Sequence, residues 1–375
     1  MGGWFGETRP VASRAARGSG ARVGGSMIDP VHRLVRTYDV ADLRALASSP
    51  APFATVVLPT PSRFVDAARR FELEWRNIRR TLATAWPDDL VDRLDDRLAA
   101  LGHDSGAAAV AVGTAAGDVF VELLTIGVDR PSVTVGDAPA LLPVIEHRQR
   151  TLPHVVVTVD RLGADIVTFA GGAVVTVDGV VPTTEYLHPG HGGGWTQRRW
   201  HQRSEQSWER NVAEIVDAIR SVAVEAGAAL VAVAGEARAR PAVAAELSAA
   251  GDAALFEVVQ VDAGDAAGIV EGTLRAVDDV HTRWQLEILE RIDAADGRVE
   301  GMKAVRQALV EGRVSALVVS DPVGGRPDRV WPAIGAPSFA DLAVRDALST
   351  AADVVVVPRV ARLVDGVAAL TRWSQ

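Results

Sequence analysis

The chain has 375 residues, of which 48% are hydrophobic and 23% are charged, a composition typical of a folded protein with two or three domains rather than a disordered one. It contains no cysteine, which excludes a disulfide framework, a thiolate metal site and a cysteine nucleophile and fits a reducing cytoplasm. The formal net charge of −9 disfavours a general nucleic-acid coat protein, so any contact with RNA must come from a local basic patch.

The first stretch, residues 1–26, is rich in glycine, arginine, serine and alanine and lacks the apolar core of a signal peptide. We interpret it as a disordered leader, with Met27 as an alternative start site because the first credible element follows it. No apolar run in the chain reaches the roughly 18 residues that a membrane span needs.

Residues 27–150 are predicted to form an α+β unit. The buried strand Ala54–Leu58 is closed by prolines, and a hairpin is expected around the turn Ala115–Asp118. The other predicted elements are short helices at Val31–Leu34 and Leu43–Leu46, helices at 64–85 and 88–101, the strand Ser132–Val135 and the helix Ala140–Gln149. Arginines on the helix at 64–85 are interpreted as a solvated face.

Residues 151–278 are predicted to form a second domain, in which a meander is followed by alternating helices and strands. The Gly171-Gly172 pair indicates a tight hairpin, and Asp178-Gly179 indicates another turn. The remaining expected elements are the strands Val155–Val159, Ala229–Val233 and Leu255–Val259 and the helix Arg240–Ala249. The pattern predicts a mixed sheet of the RNase H-like type covered by helices, with a glycine-rich loop protruding from it.

Residues 279–375 are predicted to form a third domain. Several helices are expected between Gly264 and Ile292, with the domain boundary near Val277–Arg283. Helices at Met302–Glu311 and Phe339–Thr350 then alternate with strands at Ala316–Val319 and Val354–Pro358, before a turn and a last strand within Leu363–Leu370. The alternation predicts a small α/β/α sandwich that binds RNA or a partner.

The most informative stretch runs from His188 to Arg203, where a glycine-rich tip leads directly into a basic segment with two tryptophans. Glycines allow close approach of the backbone to another surface, and arginines beside aromatic rings suit phosphate and base-stacking contacts. If Thr196 caps the following helix, four polar residues fall on one side by helical spacing, namely Arg198, Arg199, Gln202 and Arg203. The apolar stripe that begins at Trp208 falls on the opposite side. A flexible linker before a solvated helix is the simpler interpretation, and the two tryptophans favour a binding tip instead.

Several catalytic motifs are missing from the sequence, including a phosphate-binding loop, a dinucleotide glycine fingerprint and a nucleophile elbow. His188 and His191 lack a third metal ligand, so we expect no metal site there. Asp160 and Asp165 flank a predicted turn, but a two-metal nuclease needs more converging carboxylates than these two.

The order of units resembles that of the archaeal and eukaryotic class-one release factors and their Pelota relatives, and more closely that of their bacterial homologues, which include the hibernation factor Balon. Release factors carry Gly-Gly-Gln and a basic helix where this chain has Gly192–Trp200. The segments Lys303–Asp321 and Asp365–Trp373 resemble the family's C-terminal domain. The resemblance covers about Val155 to Trp373. The first unit is unlike the codon-reading domain and lacks Asn-Ile-Lys-Ser, so stop-codon reading is not implied.

The tip departs from the family at the position that matters for chemistry, because Trp195 stands where release factors have the glutamine that helps to place the attacking water. An indole has one donor and no acceptor, but it can stack on a base with a gain of about 1–3 kcal/mol. Gln197 is two positions further on and points elsewhere at the helix start. Peptidyl-tRNA hydrolysis is therefore disfavoured, and Gln197 is the one candidate catalytic residue.

The resemblance implies a cytoplasmic ribosome-binding factor that occupies the A site, with its tip near the peptidyl-transferase centre, in ribosome hibernation and without hydrolysis. The implied partners are the ribosome, through 23S rRNA, and elongation factor Tu, with no cofactor, membrane or DNA. The expected rRNA-binding residues are Gly192, Gly193, Gly194, Trp195, Thr196, Gln197, Arg198, Arg199, Trp200, Gln202 and Arg203. The alternatives are a peptidyl-tRNA hydrolase that rescues stalled ribosomes and, less favoured, a metal-dependent nuclease.

Overall fold

The structure, a computed structural model, describes residues 38–59, 67–99, 107–125, 127–128, 131–160, 163–180, 195–249, 255–262, 265–320, 334–357 and 363–373. At 67–70 and 195–208 it describes the backbone alone. The predicted leader at 1–26 and the predicted helix at Val31–Leu34 lie outside these residues. Within them, no helix is both long enough and apolar enough to cross a membrane.

The first unit is built on a sheet whose strands lie in the order β12-β4-β1-β2-β3. Its strands are β1 (Phe53–Pro59), β2 (Ala108–Thr114), β3 (Val119–Leu124), β4 (Ser132–Gly136) and β12 (Ile334–Gly335). Its helices are α1 (Ala41–Ala47), α2 (Ala67–Leu82), α3 (Asp88–Ala99) and α4 (Leu142–Arg150). The predicted hairpin is confirmed by the antiparallel pairing of β2 with β3.

The second unit has the mixed sheet that the sequence predicts, in the order β7-β6-β5-β8-β9. The strands are β5 (His154–Val159), β6 (Ala164–Ala170), β7 (Ala173–Val180), β8 (Leu230–Gly235) and β9 (Glu257–Gln260). The helices α5 (Trp195–Glu225) and α6 (Ala239–Ala249) belong to the same unit. Apolar side chains of β5, β6 and β8 form one buried cluster with the packed face of α5 and with α6.

The third unit is a mixed four-stranded sheet in the order β10-β14-β11-β13. The strands are β10 (Arg298–Glu300), β11 (Val314–Ser320), β13 (Asp353–Val357) and β14 (Val367–Thr371). Its helices are α8 (Met302–Val310) and α9 (Phe339–Ser349), and a 3-10 turn at Val364–Gly366 leads into β14. The expected alternation of helix and strand is confirmed.

Two local predictions are wrong. The stretch expected to hold several helices is one continuous helix, α7 (Ala266–Asp293), so the predicted boundary at 278/279 falls inside a helix. No glycine or proline interrupts Val277–Arg283, and Val277, Val280 and Trp284 continue its buried face. The predicted turn Asp178-Gly179 belongs to β7 instead, because pairing with β6 continues to Val180.

The first and third units share one hydrophobic core. Apolar residues of α1, α4, α7, α8, α9 and the third sheet form a single buried cluster. The two-residue strand β12 comes from the sequence of the third unit, yet it pairs in parallel with β4 of the first. These two units therefore form a shared base, to which the middle sheet is attached.

Candidate functional site

The candidate site lies at one end of the middle sheet, where the glycine-rich tip leaves and the helix α5 returns. Val159, Ala164 and Val180 are aligned across β5, β6 and β7 at this end, and Gly235 ends β8 beside Val159. The segment 181–194 therefore follows β7 at the end of the sheet where β5 and β8 finish. We call this end the tip end of the sheet.

The helix α5 is much longer than the sheet that it covers. Its 31 residues span about 46 Å at 1.5 Å per residue, whereas the six residues of β5 span about 20 Å. The buried positions that are described on α5 run from Asn211 to Ala223, and Ala229 N–H donates to Pro153 O at 2.7 Å beside the start of β5. The carboxyl end of α5 is therefore fixed at the far end of the sheet, and the sheet spans less than half of the helix length.

Helical register relates the first turns of α5 to the part whose packing is described. Residues 18 positions apart share one direction on a helix of 3.6 residues per turn. Arg199 and Arg203 share the directions of Asp217 and Ser221, which are exposed. Arg198 shares that of Val216, which is buried. By register alone, we therefore expect Arg199 and Arg203 rather than Arg198 on the side opposite the apolar stripe.

The structure locates the predicted site residues only in part. Gly192, Gly193 and Gly194, together with His188 and His191, lie outside the described residues. The other predicted site residues lie in the first three turns of α5, where the backbone alone is described: Trp195, Thr196, Gln197, Arg198, Arg199, Trp200, Gln202 and Arg203. Because the helix begins at Trp195, Thr196 is inside its first turn and is not the N-cap that the sequence suggested.

The end of the middle sheet opposite the tip end is held against the rest of the molecule. Gly172, at φ +80°, lies so close to the first unit that a Cβ at this position would be 3.2 Å from Thr125 Cγ2. At the edge of the sheet, Trp284 Nε1 of α7 donates to Glu257 Oε1 of β9 at 3.2 Å, and Arg283 forms an ion pair with the same carboxylate. These contacts place the sheet on the base with its tip end facing away from them.

The two carboxylates considered as metal ligands, Asp160 and Asp165, lie on either side of the turn between β5 and β6. Asp160 Oδ1 accepts a hydrogen bond from Gly163 N–H at 2.9 Å and so shapes the turn between β5 and β6. Asp165 is exposed and lies opposite Gly179 on β7. Among the described residues, no three histidine, aspartate or glutamate side chains are grouped as metal ligands.

One groove lies far from the tip in sequence and was not anticipated. It has a volume of about 410 Å³ and is lined by Met302, Lys303, Arg306, Gln307, Val310 and Phe339. We call it the α8–α9 groove, because its lining comes from these two helices. The aliphatic residues of α8 give no local sequence signal for it, because their exposure depends on how α8 packs in the fold.

Comparisons with known proteins match the middle unit to a family model and most of the chain to two relatives. A family model described as bacterial archaeo-eukaryotic release factor family 2 matches residues 153–298. Two proteins of Mycobacterium tuberculosis, from strains CDC 1551 and H37Rv, are each 27% identical to this chain over 301 residues, which are 74% of this chain and 77% of each relative. Both relatives are described as uncharacterized.

Similar solved structures include translation factors of archaea. The archaeal termination factor aRF1 has 17% identity and a TM-score of 0.23, with 92% of this chain and 98% of that chain covered. Archaeal Pelota in a ribosome-bound model with ABCE1 has 12% identity and a TM-score of 0.41, with 90% and 95% covered. Archaeoglobus fulgidus Pelota has 15% identity and a TM-score of 0.35, with 90% and 93% covered.

Proposed function

We propose, from the match of residues 153–298 to the bacterial archaeo-eukaryotic release factor family 2, that this protein is a cytoplasmic ribosome-binding translation factor. In this proposal it occupies the A site, and the tip Gly192–Trp195 reaches toward the peptidyl-transferase centre. It acts in ribosome hibernation, without hydrolysis of peptidyl-tRNA. Its direct partner is 23S rRNA, and elongation factor Tu is a candidate second partner.

The observation that carries the proposal is the geometry of α5 relative to its sheet. The helix is about 46 Å long, and only the part near its carboxyl end is needed to cover strands of about 20 Å. A helix of this length that begins directly after three glycines suits insertion into a narrow RNA channel, because its own backbone hydrogen bonds keep it rigid away from the sheet. The base formed by the first and third units holds the opposite end of the middle sheet in place.

The charge at the start of α5 also suits RNA. The first backbone N–H groups of a helix have no partner within the helix, and together with the helix dipole they favour phosphate oxygens. By register, Arg199 and Arg203 share the directions of positions that are exposed further along the helix. They are therefore the arginines that we assign to phosphate contacts, while Trp195 at the helix start is assigned to stacking on a base.

Two features support binding without chemistry. Trp195 replaces the glutamine of release factors and has no acceptor with which to hold a water molecule. Gln197, the candidate replacement, lies within the first turn of α5 rather than on the glycine segment. We therefore assign no catalytic residue.

Ribosome binding of the variant Trp195→Ala tests the tip assignment. Loss of one stacked base, worth about 1–3 kcal/mol, predicts that the dissociation constant for vacant ribosomes rises roughly 5- to 150-fold. Trp373→Ala is the matched control, because Trp373 is an exposed tryptophan of the third unit. Equal binding by both variants would contradict the assignment.

A release assay with peptidyl-tRNA on stalled ribosomes tests the absence of chemistry. The proposal predicts no release above the uncatalysed rate for the native protein. Release that disappears in Gln197→Ala would favour the alternative, a hydrolase that rescues stalled ribosomes.

A further inference from the structure

The α8–α9 groove has an apolar floor that no described residue covers. Along α8, Met302, Arg306 and Val310 are spaced four residues apart and form one exposed stripe. Val305 and Leu309 face the core instead. Val310 is 74% exposed and Met302 43% exposed. Large aliphatic side chains grouped at such exposure on a folded domain indicate a contact surface.

The second wall comes from α9. Phe339 at its start lines the groove, and Leu342, one turn further on, is 40% exposed. A capping box of Ser338 and Asp341 fixes this end of α9. The wall is therefore rigid at the point where it meets the groove, which lowers the entropic cost of binding.

Cations flank this apolar floor. Lys303 and Arg306 both line the groove, and neither forms a salt bridge with a described residue. Burial raises the pKa of the Asp346 carboxyl on α9, and this effect outweighs the positive charges of Arg345 and Arg306, which lower it. The chain as a whole has a net charge of −9. A groove with two cations beside aliphatic side chains is therefore opposite in charge to the average surface. The charge of the groove is complementary to carboxylates or to phosphates.

The apolar residues of the groove distinguish the carboxylates of a protein from the phosphates of RNA. Two of its three apolar lining residues, Met302 and Val310, are aliphatic, and the one aromatic ring, that of Phe339, is half-buried. Recognition of unpaired bases depends mainly on exposed aromatic rings for stacking. A groove between two helices with apolar side chains at helical spacing suits another amphipathic helix, and methionine adapts well to such a surface. The lining therefore favours a protein over RNA.

We propose that the α8–α9 groove binds an amphipathic helix of a partner protein, with apolar residues on one face and acidic residues beside them. The apolar face would contact Met302, Val310 and Phe339, and the carboxylates would pair with Lys303 and Arg306. This inference does not rest on the proposed ribosomal function, because the groove and the tip belong to different units.

Fluorescence anisotropy with the full-length protein and three labelled probes tests the proposal. The probes are an 18-residue helical peptide with leucines on one face and glutamates elsewhere, the same peptide with lysines in place of the glutamates, and a 12-nucleotide RNA. We expect saturable binding of the acidic peptide, at least ten times tighter than that of the basic peptide. No binding of the acidic peptide, equal binding of both peptides, or preferential binding of the RNA would each overturn the proposal.

Variants then locate the site. Val310→Asp and the double variant Lys303→Glu/Arg306→Glu should each weaken binding of the acidic peptide at least tenfold. The control Arg76→Glu/Arg80→Glu removes two exposed arginines from α2, and it should bind like the native protein. An equal loss in the control would mean that net charge alone drives binding, which would also overturn the proposal.

A light-scattering measurement of molar mass separates a partner protein from a second copy of the chain. We expect the native protein and Val310→Asp to have the same mass. A dimer that Val310→Asp converts to a monomer would show that the groove binds another copy, and the proposed partner would then be wrong.

Discussion

The side-chain amide of Gln149 pairs with the backbone of Val354 across two units, since its Nε2 donates to Val354 O at 3.0 Å. The same amide accepts from Val356 N–H through Oε1, also at 3.0 Å. This side-chain amide accepts one backbone hydrogen bond and donates another, as a neighbouring strand would at the edge of β13. A side chain of α4 in the first unit thus completes the third sheet.

Replacement of Gln149 should therefore destabilise the base. Gln149→Leu leaves the buried N–H of Val356 without its partner and removes the donor to the Tyr38 hydroxyl, while Val354 O keeps the hydrogen bond that Tyr38 Oη donates to it at 2.6 Å. We expect a loss of about 1–3 kcal/mol in the free energy of unfolding, because one unsatisfied buried group costs about that much. Urea denaturation measures it, with the exposed Gln307→Leu on α8 as the control. Equal midpoints for the two variants would contradict the pairing.

The close approach of β8 to β5 at the tip end allows only glycine at position 235. Gly235 has φ +110°, and a Cβ there would lie 2.1 Å from Val159 O. Gly235→Ala should destabilise the middle unit by more than about 3 kcal/mol, because the clash is with backbone. Gly227→Ala is the matched control, since Gly227 also has positive φ but no neighbour within 4 Å. It should cost about 1 kcal/mol, and a similar loss in both variants would argue against the clash.

The order of elements was predictable because most of them have local signals. Strands such as Ala229–Val233 are continuous apolar runs, and Gly171-Gly172 joins β6 to β7 as expected. The elements that were predicted wrongly or missed depend on pairing with residues distant in sequence. Asp178-Gly179 has the sequence of a turn, but pairing with Asp165 and Ile166 keeps it in a strand. The two residues of β12 have no local strand signal, and their partner β4 lies some two hundred positions earlier.

The sequence indicated which residues form the candidate site but not how the structure arranges them. Glycines, tryptophan and arginines indicated a binding tip, and helical periodicity indicated α5. The first residue of the helix was not fixed by these signals, because Thr196 is a good N-cap residue by type and yet lies inside the helix. The groove required the tertiary contact between α8 and α9, which no local pattern contains.

Burial of His281 on α7 should make stability depend on pH. Burial, with a contribution from Arg150, lowers the pKa of His281 to about 4, and its Nε2 has no hydrogen-bond partner among the described residues. Because the folded pKa lies below the unfolded value of about 6.5, protonation favours the unfolded state. The stabilising contribution is full above pH 6.5 and is lost as the pH falls toward 4, by about 3 kcal/mol at most.

Urea denaturation of the native protein and of His281→Leu between pH 7.5 and pH 4.5 measures this contribution. His147 and His154, whose pKa values are also lowered by burial, are present in both proteins, so the difference isolates His281. We expect the native protein to lose more stability than the variant as the pH falls. Parallel curves would show that His281 does not titrate in this range.

The helical register of α5 predicts which arginines contact phosphates. Arg199→Glu/Arg203→Glu should weaken binding to vacant ribosomes and make it less dependent on salt, lowering the slope of log K against log salt by roughly 1.4–1.8 for two lost contacts. Arg210→Glu is the control, because Arg210 is exposed on the same helix about 16 Å beyond Arg199. An unchanged slope in the double variant would remove these two arginines from the interface.

Sedimentation through a sucrose gradient tests the central claim most directly. The native protein is mixed at low salt with vacant ribosomes or with actively translating ribosomes, and its distribution is measured across the gradient. We expect co-migration mainly with vacant ribosomes, and its loss in Arg199→Glu/Arg203→Glu. Absence from the ribosomal fractions in both mixtures would contradict the assignment of this protein as a ribosome-binding factor.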